Sequence, residues 1–292
     1  MCGIVGLFIK RSGMEPELGA HLAVMLATMR DRGPDSAGFA VYGADAGDVK
    51  LTVRAPRGTD LGAFAKSLDV AAEVRDTHVV LHVPPARLAE VRAAVLQAAP
   101  AITLVGEGRR MELYKEVGLP EDVAGRFGLS GMSGTHGIGH TRMATESAVT
   151  TDGAHPYSTN ADQCLVHNGS LSNHNGLRRM LARQGFKFET ENDTEVAAAY
   201  LSWRMREGCS LEGALQASLT DLDGFYTFVV GTRTGFAVLR DPICCKPAVM
   251  AETEDWVAFG SEYRALVDLP GIEGARVWEP EPARVYAWER AA

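Results

Sequence analysis

Cys2 has the clearest chemical potential in the sequence, because it directly follows the initiator methionine. We expect that removal of Met1 exposes a terminal cysteine that carries both a thiol and a free α-amine. The amine normally titrates near ~7.7–8.0 and the thiol near ~8.5, so both can exchange a proton close to neutral pH. The amine, directly or through a water molecule, can take the thiol proton as the sulfur attacks a carbonyl carbon. Cys2 is therefore a candidate nucleophile.

Three dense polar clusters further along the chain could complete a site around this nucleophile. They lie at residues 140–147 (with an extension to 157), 166–173 and 192–196. Each cluster follows or begins an apolar run, where a strand or helix would deliver polar atoms to a surface pocket. The sequence therefore indicates a pocket that is assembled from several separate segments.

Together with Cys2, these clusters resemble the class II glutamine amidotransferases, which belong to the N-terminal-nucleophile (Ntn) hydrolases. Six short matches carry the resemblance, in the family's order and, apart from an insertion after the second, at similar intervals. The matches are Cys2-Gly3-Ile4-Val5-Gly6, Arg32-Gly33-Pro34-Asp35-Ser36-Ala37-Gly38, His140-Thr141-Arg142, Ala154-His155-Pro156, His167-Asn168-Gly169 and Asp193-Thr194-Glu195. One such match is a weak signal, but six in order are specific and cover most of the chain.

The resemblance implies roles for five residues. Cys2 would be the nucleophile, with its own amine as the base. The Asn168 side-chain amide and the Gly169 backbone N–H would form the oxyanion hole, where each donor is typically worth ~3–4 kcal/mol in the transition state. Arg142 would pair with both oxygens of the substrate α-carboxylate, and Asp193 would receive the α-ammonium. Such a site selects a free amino acid over peptide-bound glutamine.

Other matched residues are expected around the same pocket. Arg32 and Asp35 resemble supports that hold the N-terminal turn against the site, and Thr145 and His155 match positions near the substrate. For Arg32, Asp35 and His155 a structural role is an equally good interpretation, because buried polar groups need hydrogen-bond partners.

The chain departs from the family after Arg142. Many members have tryptophan next and His-Gly after the threonine, whereas this chain has Met143 and then Glu146-Ser147. Methionine is smaller and more adaptable than an indole, so Met143 is a candidate substrate contact that alters how a lid closes over the amide. With this departure, the substrate amide could be that of glutamine or a modified one, such as a γ-glutamyl N-alkylamide.

No metal site is expected among the eight histidines. His136 and His140 have i,i+4 spacing, but they lie in a predicted strand, where they would not converge as they would on a helix. We interpret His140 and His167 as packed framework rather than catalytic bases, because the terminal amine already supplies the base.

Composition excludes several classes of protein. Of the 292 residues, 46% are hydrophobic, but no apolar run approaches the ~20 residues that span a bilayer. We therefore expect no membrane partner. The N-terminus lacks a charged region before a long apolar stretch, so we expect no secretory signal either. The formal charge of −8 is not accompanied by a basic stripe, so nucleic acid is not an expected partner. Five cysteines without a C-x-x-C pair suggest reduced thiols in a cytoplasmic protein.

Hydrophobic periodicity predicts strands at both ends of the chain, with helices between them. We predict helices at 173–184, 194–207 and 211–219, and a strand at 39–42 with 49–54 as its hairpin partner. The pattern favours helices packed outside two stacked sheets, and the family resemblance implies an α+β fold, the four-layer αββα Ntn-hydrolase sandwich of two stacked, mainly antiparallel sheets. We expect one amidotransferase domain over 2–292, with an α/β insertion at about 59–128 that begins with a helix at 61–74.

No segment of the sequence resembles a domain that consumes ammonia, and no FMN or iron–sulfur site is evident in this chain. Among free-standing members, the chain resembles the amidotransferase subunit of N-methylglutamate synthases and the related GlxB-type proteins, on residues 106–112, 262–266 and 278–282. This resemblance implies two partners: a synthase subunit that carries FMN and iron–sulfur clusters, and a β-helix-like scaffold subunit. Ammonia or methylamine from glutamine or a γ-glutamyl amide would pass to that synthase.

Two alternative functions stay open at this point. The chain could be a non-catalytic regulatory or assembly subunit, which retention of Met1 would favour because it blocks the amine. It could also be a free-standing γ-glutamyl amidohydrolase that acts without a synthase. Co-purification of larger subunits would exclude this second alternative.

Overall fold

A computed structural model describes residues 2–144 and 148–290, and within these ranges it contains seven α-helices and sixteen strands. The helices are α1 (Leu18–Ala27), α2 (Leu61–Ser67), α3 (Leu88–Gln97), α4 (Pro120–Phe127), α5 (His174–Arg183), α6 (Asp193–Arg206) and α7 (Leu211–Asp221). The first eight strands are β1 (Gly3–Ile9), β2 (Ser36–Tyr42), β3 (Val49–Arg54), β4 (Ala71–Arg75), β5 (His78–Val83), β6 (Thr103–Gly108), β7 (Met111–Val117) and β8 (His136–Arg142). The others are β9 (Tyr157–Asn160), β10 (Gln163–Leu171), β11 (Gly224–Gly231), β12 (Gly235–Arg240), β13 (Val249–Glu252), β14 (Trp256–Gly260), β15 (Arg276–Trp278) and β16 (Val285–Glu289).

Two antiparallel sheets are stacked face to face. The first has the strand order β15-β13-β14-β1-β8-β2-β7, and the second has the order β16-β12-β11-β10-β9. Their inner faces meet in an apolar core that contains Phe8 and Phe236. Burial of these side chains against each other removes apolar surface from water on both sheets at once and holds them together.

Helices cover the outer faces of both sheets. The outer side chains of β1, Val5 and Leu7, pack in one core with Leu22 and Leu26 of α1, whose apolar residues recur at helical spacing. On the second sheet α6 and α7 pack over β10 and β11. The result is the four-layer order helix–sheet–sheet–helix that the sequence predicts.

Side-chain alternation along the strands decides which residues reach the space between the sheets. Ile4 of β1, Ile138 of β8 and Val166 of β10 all belong to the inter-sheet core. The residues two positions away, which alternation places on the same inner faces, are Cys2, His140 and Asn168. The sandwich therefore directs these three side chains toward one another from β8, from β10 and from the residue that precedes β1, and thus from both sheets.

A third antiparallel sheet has the order β4-β5-β3-β6, and α2 and α3 pack against it. Strand β3 pairs with β5 and β6, whereas β2 pairs with β7 and β8. The predicted hairpin between 39–42 and 49–54 is therefore wrong. The predicted helix at 61–74 is also too long, because the chain turns at Asp69, with a positive φ of 51°, and continues as β4.

The third sheet begins at Val49 and ends at Gly108, so it both starts and ends earlier in the chain than the predicted insertion at about 59–128. Beyond it, β7 returns to the first sheet beside β2, and α4 packs into the helical layer over that sheet. The division of 2–292 into an amidotransferase domain and an insertion stays a prediction. No helix in the described ranges has the length and apolar character needed to cross a membrane.

Candidate active site

A cavity of about 630 Å³ opens at the ends of β8 and β10, beside Cys2 and the N-terminus of α6. Most of the residues singled out in the sequence line it. These are Cys2, Arg142, Met143, His155, Gly169 and Asp193. The fold thus brings residues from five separate segments of the chain to one cavity.

Cys2 is held by its backbone carbonyl and by its sulfur. The carbonyl oxygen accepts hydrogen bonds from Arg32 Nε at 3.0 Å and from Asn168 Nδ2 at 3.1 Å. The Met143 N–H donates to Cys2 Sγ over 3.4 Å. Two side chains and one backbone amide therefore determine where the thiol lies in the cavity.

Arg32 is itself held by a carboxylate that the six matched motifs do not include. Its Nη1 atom contacts Glu262 Oε1 at 2.7 Å, and Arg264 Nε contacts Glu262 Oε2 at 2.7 Å. The hydrogen bond from Arg32 and the positive charges nearby lower the pKa of Glu262. Glu262 lies 230 residues from Arg32 in the sequence, so no local pattern could pair them.

Asp35 acts on the turn that follows β8. Its Oδ2 atom accepts a hydrogen bond from the Ala144 N–H at 2.8 Å, and its own N–H donates to Arg142 O at 3.1 Å. This turn carries Met143 against Cys2. The structure therefore connects Asp35 to Cys2 through the turn rather than by direct contact.

The Asn168 side chain is buried, with 5% of the residue exposed. Its Nδ2 atom also lies 3.3 Å from Ser261 Oγ, which in turn accepts the Ile4 N–H at 2.9 Å. On the other side, Asn168 Oδ1 lies 3.1 Å from His140 Nε2. Ser261 and His140 thus surround the amide, and sequence reasoning assigned neither of them to it.

Gly169 occupies a position that other residues could not take. Its φ of +149° lies in a region that favours glycine. A Cβ atom there would lie 2.0 Å from Phe225 O, well inside contact distance. The absence of a side chain leaves the backbone beside Asn168 open to the cavity.

Charged groups of opposite sign line the cavity. Arg142 ends β8 and is buried, with Nη1 3.4 Å from Ala148 O. Asp193 begins α6, where the helix dipole favours an anion. Burial alone would raise the pKa of Asp193, but contacts with His167 and the Leu171 N–H outweigh it and lower the pKa. Asp193 is therefore anionic at neutral pH.

Three buried histidines, His140, His155 and His167, pack together at the cavity, and His155 and His167 form part of its wall. Thr194 Oγ1 lies 2.8 Å from His155 Nε2 and 3.0 Å from His167 Nδ1. The His155 ring also stacks on His140, with ring centroids 4.0 Å apart. Burial lowers the pKa of His155 well below its ordinary value and that of His140 to about 3, so both rings are neutral. These contacts fit a framework role for His140 and His167.

Thr145, the remaining candidate substrate contact, lies outside the described residues, as do Glu146 and Ser147. Within the described ranges, no three His, Cys, Asp or Glu side chains are grouped so that they could hold a metal ion.

Known proteins match both the sequence and the fold. A family model for the glutamine amidotransferase domain matches residues 140–268, which include Arg142, Asn168, Gly169 and Asp193. The chain is 61% identical to the glutamine amidotransferase-like protein GlxB of Rhizobium meliloti (strain 1021), over 99% of this chain and 98% of that protein. It belongs to the class II glutamine amidotransferase family. The GlxB-type resemblance predicted from the sequence is thereby confirmed.

Solved structures agree with this family at the level of the fold. The glutamine phosphoribosylpyrophosphate amidotransferase from B. subtilis superimposes with a TM-score of 0.64, and the allosteric regulatory enzyme of purine biosynthesis with 0.66, each at 22% identity. Each match covers 99% of this amidotransferase but 47% of the solved chain. These matches confirm the αββα Ntn-hydrolase fold.

Proposed function

We propose that Cys2 hydrolyses the γ-amide of glutamine or γ-glutamylmethylamide to glutamate, and that the amine passes to a separate synthase. The observation that carries this proposal is the cavity that Cys2, Arg142, Gly169 and Asp193 line together. A nucleophile, a carboxylate receptor and an ammonium receptor in one cavity match the three functional groups of a free γ-glutamyl amide.

Charge complementarity supports free glutamine as the core of the substrate. Arg142 offers two N–H groups to the α-carboxylate, and the anionic Asp193 attracts the α-ammonium. Both side chains are largely buried, so each gains a charged partner in a site with little water. The γ-amide then extends toward Cys2. Thr145 and His155 are proposed as further substrate contacts.

The reaction proceeds through a thioester. With Met1 removed, the Cys2 amine takes the thiol proton as Sγ attacks the γ-carbonyl carbon. The Asn168 amide and the Gly169 N–H stabilise the oxyanion. The C–N bond breaks, the amine leaves with a proton from the Cys2 ammonium, and water then hydrolyses the thioester to glutamate. Arg32 and Asp35 hold the nucleophile and its flanking turn in place throughout.

The finer proposal concerns the amine and its acceptor. We propose N-methylglutamate synthase as the acceptor system, with FMN and iron–sulfur clusters on a synthase subunit and a β-helix-like subunit as scaffold. Support comes from the resemblance to such amidotransferase subunits and from Met143. The Met143 backbone contacts Cys2 Sγ, and the residue lines the cavity with 37% of its surface exposed. A thioether in this place can accommodate an N-methyl group.

Intact-mass analysis combined with labelling by a γ-glutamyl diazoketone tests the proposal. We expect loss of Met1 and one adduct on Cys2, blocked by glutamine or γ-glutamylmethylamide, and no adduct in a Cys2→Ala control. Stronger protection by the methylamide would favour the methylamine function. Retained Met1 and no adduct, even with partner subunits present, would indicate a non-catalytic assembly subunit. Full turnover with no co-purifying subunit would indicate a free-standing amidohydrolase.

A further inference from the structure

We propose that His140 is a positioning residue that orients the Asn168 amide, so that its nitrogen rather than its oxygen faces Cys2. The inference deepens the proposed function and rests on it, since the oriented amide is the donor that meets the oxyanion. His140 itself touches neither the nucleophile nor the cavity among the described contacts.

The backbone carbonyl of His167 determines which nitrogen of His140 carries a hydrogen. His140 Nε2 lies 3.2 Å from His167 O, and a carbonyl oxygen can only accept. Nε2 must therefore carry the hydrogen. The same Nε2–H lies 3.1 Å from the Asn168 side chain, so the atom that faces it must also be an acceptor, Oδ1.

The hydrogen bond at the other end of the Asn168 amide requires the same orientation. With Oδ1 against His140, Asn168 Nδ2 donates to Cys2 O at 3.1 Å. A flipped amide would place an N–H group against the N–H of His140, and an oxygen against the carbonyl of Cys2. Both hydrogen bonds would be lost, and buried groups of like polarity would face each other.

The surroundings of His140 keep the ring in this role. It is fully buried, and its Nδ1 atom has no hydrogen-bond partner within the described ranges, as expected for the nitrogen without a hydrogen. Stacking on His155, which is tied to Thr194, restricts rotation of the ring. Burial also lowers the pKa of His140 to about 3, so the neutral ring persists across the physiological range.

The orientation of the Asn168 amide affects the reaction only in the transition state, when negative charge develops on the carbonyl oxygen of the substrate. The oxygen of an unrestrained Asn168 would face the oxyanion in part of the molecules and repel it. The ground-state contacts of glutamine with Arg142 and Asp193 do not depend on this orientation. Loss of His140 should therefore lower kcat and leave KM nearly unchanged.

The test compares His140→Leu with His140→Gln, whose side-chain nitrogen can occupy the place of Nε2 and donate. His136→Leu is the matched control, because His136 is also buried on β8 but bonds to Thr232 O at 2.8 Å, away from the cavity. We expect His140→Leu to lose about 10²-fold in kcat, comparable to removal of one oxyanion donor. His140→Gln should recover most of this loss, and His136→Leu should show no comparable loss of kcat.

A double-mutant cycle separates orientation from general damage. In an Asn168→Ala background the His140→Leu change should cost less than about threefold, because no amide remains to orient. Equal losses in both backgrounds would overturn the proposal, as would a rise in KM without a fall in kcat.

Nitrogen-15 NMR of histidine-labelled protein gives a readout that needs neither turnover nor a folded leucine variant. The signal that His140→Gln removes should have the shifts of a neutral Nε2–H ring, and an Nδ1–H ring would overturn the inference. If the wild type with partners neither hydrolyses glutamine nor labels at Cys2, the proposed function fails. If it hydrolyses glutamine and His140→Leu keeps its kcat, only the present inference fails.

Discussion

The buried histidines should make this protein unusually sensitive to mild acid. Burial lowers the pKa of His78, His136 and His140 to about 3 each. In the unfolded chain the same side chains titrate near ~6.5. Between these two values the unfolded state binds protons that the folded state excludes. The free energy of unfolding that depends on these neutral histidines is therefore fully present above about pH 7.5, and it is lost as the pH drops through ~6.5 toward ~3.

The magnitude follows from the two pKa values. At about pH 5 an unfolded histidine is almost fully protonated and a folded one is not, which costs ~2 kcal/mol per residue. Three such residues cost ~6 kcal/mol, a large part of the ~5–15 kcal/mol that stabilises a typical domain. Burial and the nearby Glu195 raise the pKa of Glu189, which opposes the loss. The lowered pKa of Asp193 contributes only at more acidic pH.

Urea unfolding at pH 7.5 and pH 5.0, followed by tryptophan fluorescence, measures this loss. His78→Phe is the matched variant, because the ring of His78 packs on Phe127 at 4.7 Å between centroids and its Nε2 has no hydrogen-bond partner within the described ranges. The variant should lose about 2 kcal/mol less than the wild type between the two pH values. A wild-type loss below about 2 kcal/mol, or an equal loss in His78→Phe, would refute the reasoning.

Three further predictions concern the site. Cys2→Ala should abolish amide hydrolysis and leave the thermal unfolding midpoint nearly unchanged. A retained rate of hydrolysis would refute the role of Cys2 as the nucleophile. Arg142→Lys should raise KM for glutamine about tenfold or more with a smaller effect on kcat, because lysine cannot pair with both carboxylate oxygens; steady-state kinetics with a partner subunit present would show it. Met143→Trp should lower the kcat/KM of γ-glutamylmethylamide relative to that of glutamine about tenfold, which is the usual effect of one badly accommodated methyl group. An unchanged ratio of the two kcat/KM values would exclude Met143 as the residue that selects the amide.

Much of the fold follows from local patterns in the sequence. The apolar residues of α1 recur at helical spacing and are buried, and the helices predicted at 173–184, 194–207 and 211–219 match α5, α6 and α7 to within two residues at each end. The motif residues lie together because each follows or begins a strand or helix that ends at the cavity. Patterns of this kind are local, so they can be recognised without knowledge of the tertiary structure.

Strand partners are not local, and here prediction failed. The strand 49–54 has the same hydrophobic character whether it pairs with β2 or with β5, and only the assembled third sheet decides between them. For a related reason, hydrophobic periodicity does not reveal the short strand β15. Its residues are mostly exposed, so no burial pattern marks it. Its identity as a strand comes from hydrogen bonding to β13.

The contacts that support Arg32 and Asn168, the two side chains that hold Cys2, could not be inferred from sequence patterns. Glu262 and Ser261 follow β14, which neighbours β1, and His140 approaches Asn168 only because the two sheets face each other. Contacts of this kind depend on strand order and on which face of a strand a residue occupies. Motifs identify groups that resemble substrate contacts, whereas the groups that orient them become visible only in three dimensions.

The contacts around Cys2 connect its position to the packing of the two sheets. Its carbonyl oxygen accepts from Asn168 on the second sheet and from Arg32, which precedes β2 of the first. Because one donor lies on the second sheet and the other precedes a strand of the first, we expect Cys2 to be held in this position only when the two sheets are packed together. A variant that loosens the inter-sheet core, such as Phe236→Ala, should therefore lose activity in step with stability, although it lies on neither the cavity wall nor the motifs.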